Sequence, residues 1–136
     1  MNKNLIKLEF DKIQFNLSQF AVTYIGKEQA LNLLPSNNKK IVKNLLSETE
    51  EAEKLLFRNS TPPLDEIADN TITIKALESF GTLSIKSILE ITKILQMSND
   101  LKNYFFVEHI NPEDFSCLNK IFSELYTNKS ILDKIK

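Results

Sequence analysis

The run from Asn38 to Phe57, NKKIVKNLLSETEEAEKLLF, decides the fold class. Its apolar residues Ile41, Val42, Leu45, Leu46, Ala52, Leu55 and Leu56 recur at three- and four-residue steps, the spacing of one face of an α-helix. The opposite face carries Glu48, Glu50, Glu51, Glu53 and Lys54. A cluster of carboxylates suggests a hard-metal site, but on a helix Glu48, Glu50 and Glu53 point in different directions. Only pairs four apart, such as Glu50 and Lys54, face each other. The acidic side therefore reads as a solvated helical face.

The same period extends towards the N-terminus. Phe10, Ile13, Leu17, Phe20 and Ala21 form a stripe between Glu9 and Val22. Gly26 follows as a helix stop or turn, and a short helix from Lys27 to Leu34 ends at Pro35-Ser36-Asn37. The opening Met1-Asn2-Lys3-Asn4 leads into apolar residues alternating with charges. That pattern is no signal-peptide core, and nowhere does the chain approach the roughly 18 apolar residues of a membrane span.

Towards the C-terminus, Asn59-Ser60-Thr61-Pro62-Pro63 is the strongest break. Tandem proline removes backbone donors and forces extended conformation. It reads as an ordered surface loop, anchored by Leu64 and Ile67. A short helix over 72–80 ends at Gly81, and Ser84 is placed to cap a helix reaching Met97. Ile85, Ile88, Leu89, Ile91, Ile94 and Leu95 cover more than half of that helix, which predicts a central position. A further stretch over 99–106 carries Tyr104, Phe105 and Phe106. Asn111-Pro112-Glu113-Asp114 is a helix start, with Asn as cap and acids facing the positive end of the dipole. The final helix spans Ser130 to Lys136. With only two glycines and four prolines in 136 residues, a turn-rich β-sandwich or barrel is excluded. The fold class is all-α, an irregular bundle of about six to eight helices. Residues 1–136 read as a single helical domain or half-domain with a loop around 59–70.

Composition narrows the function. Seventeen Lys and Arg against eighteen Asp and Glu give a net charge of −1, without the basic excess of a nucleic-acid module. One cysteine, Cys117, and one histidine, His109, exclude a disulfide framework and the usual Cys- or His-rich metal sites. Gly26-Lys27 is the only fragment suggesting a phosphate loop. Thr23-Tyr24-Ile25 before it and Glu28 after it supply neither the glycines nor the magnesium-binding hydroxyl that such a loop needs. His109 lacks an oriented partner. Cys117, between Phe115 and Leu118, reads as a small buried residue. Tyr104, Phe105 and Phe106 could stack bases if exposed, but three successive helical aromatics spread around the axis, so some belong to a core. No catalytic, cofactor or metal residue emerges.

Several anchors, taken in order, resemble the N-terminal region of the MutS-II branch of the MutS family. They are Leu8-Glu9-Phe10-Asp11-Lys12-Ile13; Thr23, Gly26-Lys27, Ala30 and Leu34-Pro35-Ser36; Glu48-Thr49-Glu50-Glu51-Ala52 with Leu55-Leu56; Pro62-Pro63-Leu64, Ile67 and Asp69; Lys75-Ala76, Gly81 and Leu83-Ser84; and Leu89, Ile91 and Leu101-Lys102-Tyr104. Ala68 and the Asn37-Asn38 insertion depart from the pattern without disturbing the helical register.

The resemblance implies the first part of the MutS helical core domain, leading into lever helices, in a cytoplasmic bacterial protein. Such parents are ATPases that bind ATP and Mg and carry a C-terminal Smr nuclease, with both sites outside this chain. They are associated with suppression of recombination, branched-DNA binding and the splitting of stalled ribosomes. The implied partners are the rest of the parent chain, its lever and ATPase domains, DNA or the ribosome, and a second parent copy in a homodimer. The uncapped pattern at Lys136 fits a chain continuing into the lever. A half-domain of this kind is expected to expose more apolar surface than the ~300–600 Å² patch of an ordinary monomer. Lys39, Lys40 and Lys43, with Lys134 and Lys136, are candidates for weak phosphate contacts. Two alternatives are a free-standing helical adaptor offering an apolar groove to a partner helix, and a small enzyme using His109, Glu108 and Tyr104.

Overall fold

A computed structural model describes residues 3–135; Met1, Asn2 and Lys136, with the expectations attached to them, lie outside the described residues. Among the described residues there are eight α-helices, one 3-10 turn and no strand, as the periodicity predicts. The helices fall into two compact units. The first takes the chain up to Pro35 together with Leu64–Leu83; the second takes Ser36–Pro63 and the chain from Ser84 onward.

In the first unit, α1 (Lys3–Lys7) meets α2 (Phe10–Phe20) through Glu9, a left-handed residue at φ 58°, and α2 packs against α3 (Tyr24–Leu31). Two local expectations are corrected here. Gly26 does not stop a helix but lies in the first turn of α3, where its N–H donates to the capping Thr23 hydroxyl at 3.1 Å. The chain turns instead at residues 21–23. Nor does α2 bury its apolar stripe. Gln14 and Ser18 are buried, while Ile13, Phe15, Leu17 and Phe20 are exposed, Phe20 at 85%. The three-residue connection lays α3 and the segment after it on the polar side of α2. There the Gln14 amide donates to the Leu33 carbonyl at 2.6 Å, satisfying a group just past the end of α3.

The 64–70 segment is held by its backbone, with the Tyr24 N–H donating to the Ile67 carbonyl at 3.0 Å, while Leu64 stays exposed. Helix α5 (Thr71–Glu78) then closes in a Schellman motif: the Gly81 N–H reaches the Ala76 carbonyl at 2.8 Å and the Phe80 N–H reaches Leu77 at 3.1 Å. The left-handed residue of this cap is Phe80, at φ 54°, rather than the glycine.

In the second unit, Asn38 caps α4 (Lys39–Arg58) by accepting from the Lys40 and Ile41 amides. Ser84 caps α6, which runs unbroken from Ile85 to Phe105 instead of ending near Met97. A 3-10 turn (Pro112–Phe115), started by Asn111, leads into α7 (Ser116–Ser123), and α8 (Lys129–Ile135) packs on α6 with Leu132 buried. The core is Leu55, Phe105, Ile110, Phe115 and Leu118, with Ala52, Tyr104, Val107 and Phe122 packed around it. Phe105 stacks on Phe122 with centroids 4.5 Å apart and meets Phe115 edge-on at 6.2 Å. Helix α6 is not enclosed along its length. Only Leu101 and Phe105 are buried, both in its last two turns, and Ile85 and Leu89 are exposed.

Candidate functional site

The residues with chemical potential divide into groups already occupied by structure and groups left open. Glu51 belongs to the first kind. It sits on the side of α4 that faces α7 and accepts from the Leu118 N–H at 2.9 Å and the Cys117 N–H at 3.3 Å, with the Ser116 hydroxyl at 3.4 Å. It thereby caps the first turn of α7 from another helix, placing negative charge at the positive end of the dipole. Glu51 is therefore not part of a solvated face, as its spacing suggests. Partial burial raises its carboxyl, but the hydrogen bonds from Leu118, Cys117 and Ser116 outweigh this and hold it below the ordinary value. Nothing in the local sequence signals the cap, since Glu51 and Leu118 are 67 residues apart.

Cys117 is half-buried rather than buried, and loss of hydration, followed by the adjacent Glu51 carboxylate, pushes its thiol up and away from thiolate. Tyr104 donates its hydroxyl to the Ser60 carbonyl at 2.6 Å, and the Asn59 amide donates to the Tyr104 carbonyl at 2.9 Å. This pair fixes the start of the proline loop, and partial burial pushes the phenol up. Glu108 and His109 are exposed beyond α6, and no hydrogen bond among the described residues joins them to Tyr104. Among the described residues no group of three His, Cys, Asp or Glu could hold a metal ion. No described helix is long and apolar enough to cross a membrane.

The lysines Lys39, Lys40 and Lys43 are exposed on the first turns of α4. Lys39 and Lys43 flank a shallow recess with Ser36, Asn37, Val42 and Ser47, and Lys40 is not part of its lining. Glu50 pairs with Lys54 at 2.8 Å, as the i,i+4 spacing predicts.

What remains open is apolar. The first unit buries Ala30, Gln14, Ser18 and Thr73 but, among the described residues, no large apolar side chain. In the second unit the α4 stripe splits. Leu55 enters the core, while Ile41, Leu45, Leu46 and Leu56 are exposed. At the C-terminal end of α4 an almost wholly apolar cavity of about 160 Å³ is lined by Ala52, Leu55, Leu56, Pro62, Tyr104, Leu118 and Phe122.

Fold and surfaces together define an all-helical segment that presents apolar helix faces. Comparison with known proteins gives the kinship. The chain is 30% identical over 128 residues to the Endonuclease MutS2 of Ruminiclostridium cellulolyticum, covering 94% of this chain and 16% of that protein. With the Endonuclease MutS2 of Acetivibrio thermocellus it shares 30% identity over 136 residues, 99% of this chain and 17% of that one. With that of Halothermothrix orenii it shares 36% over 97 residues, 71% of this chain and 12% of that one. The chain is a relative of the MutS2 branch of the MutS family and corresponds to one region of a larger protein. It spans about one sixth of the length of the first two curated relatives. No family model matches the chain, and no solved structure matches it significantly.

Proposed function

We propose that this chain is a non-catalytic helical scaffold, the N-terminal part of a MutS2-type polypeptide, which couples nucleotide-driven motion elsewhere in that polypeptide to DNA or ribosome engagement. The observation that carries the reading is the first unit, which buries no large apolar side chain among its described residues. Helices α1, α2, α3 and α5 need further chain to cover Ile13, Phe15, Leu17 and Phe20, because apolar burial is the main favourable term in folding. The reading is supported by relatives that match along nearly all of this chain and are about six times longer.

The relatives are named endonucleases. We place that activity, and the ATP and Mg sites that the family resemblance implies, outside this segment. Two chemically able groups inside it are taken up by structure: Glu51 caps a helix and Tyr104 holds a loop. Lys39, Lys40 and Lys43 are the points at which the segment would touch phosphate. The parent would act as a cytoplasmic homodimer.

The test is the mass of the native polypeptide in its source cell, detected with an antibody raised against this segment. The expected species is several times heavier than the 15.7 kDa of this chain. A species near that mass overturns the scaffold reading in favour of a free-standing adaptor.

A further inference from the structure

We draw no further inference here: the strongest candidate, the small apolar cavity at the C-terminal end of α4 beside Leu56, Pro62, Tyr104 and Phe122, carries nothing, because nothing in the structure shows what fills or covers it.

Discussion

The Glu51 carboxylate on α4 accepts the backbone N–H of Leu118 at the start of α7, at 2.9 Å. Contacts of this kind satisfy helix-end donors and are worth about 1 kcal/mol when supplied by a capping side chain. Glu51→Ala removes the acceptor for Leu118, Cys117 and Ser116 at once. Exchange of the Leu118 amide hydrogen should accelerate by about five- to tenfold, a loss of about 1 kcal/mol or slightly more. The Ser123 end of α7 should change little. Unchanged exchange at Leu118 would show that the carboxylate contributes nothing to holding α7.

The same contact sets a direction with pH. Burial raises the Glu51 carboxyl, but the amides of Leu118 and Cys117 and the Ser116 hydroxyl outweigh it, leaving the group below its ordinary 4.5. A depressed carboxyl contributes stability that is complete above the unfolded value and is lost as pH falls through the folded one. The difference in Leu118 protection between the natural protein and Glu51→Ala should therefore be constant near neutrality and close below about pH 4.5. A difference that instead vanished on raising the pH would contradict the cap.

Phe105 is the centre of the second unit's core, fully buried and stacked on Phe122. Phe105→Ala should cost about 3–5 kcal/mol, through lost transfer energy and the cavity left behind. Phe57→Ala, on the exposed end of α4, should cost less than about 0.5 kcal/mol in the second unit. Urea titration of the two variants of the full-length polypeptide, followed by exchange at amides of α6 and α7, separates them.

Much of this architecture is legible in the sequence because helix period and capping chemistry are local. Ser84 and Asn111 cap where their neighbours predict. Errors arise where a distant partner decides. The apolar stripe of α2 marks a helix correctly, but which side is covered depends on α3 and the Leu33 carbonyl, and the polar side is the one buried. Ser98-Asn99-Asp100 resembles a break between two helices. In the fold, Gln96 donates to Asp100 four residues on at 2.9 Å, and α6 continues through. The Glu51 cap cannot be read locally, since its partners lie on another helix. Lys39, Lys40 and Lys43 are where the spacing places them, on one exposed helix start.

Those three lysines give the segment its test for phosphate contact. If they neutralise nucleic-acid phosphates, each contributes close to one unit to the slope of log affinity against log salt. Replacing all three by alanine in the full-length polypeptide should lower that slope by about two to three units on branched DNA. Affinity at low salt should fall with it. An unchanged slope removes these residues from the nucleic-acid interface.

The cap after α5 makes the last prediction, because two adjacent residues there occupy each other's usual roles. Phe80, 98% exposed, holds the left-handed conformation that glycine adopts without cost, while Gly81 follows it with an ordinary negative φ. The glycine is needed for space: a Cβ at position 81 would lie 3.1 Å from the Ala76 carbonyl oxygen, which is fixed backbone accepting the Gly81 N–H. Left-handed backbone costs a non-glycine residue about 1 kcal/mol, and Phe80 recovers nothing by burial in this chain. Phe80→Gly should therefore slow exchange of the Gly81 amide by about fivefold. Gly81→Ala should accelerate it, since the closing hydrogen bond must lengthen to admit the methyl group. If Phe80→Gly instead speeds exchange in the full-length polypeptide, the ring is held there by contacts outside this segment. Such contacts would offset the backbone strain and give α5 its own covering surface.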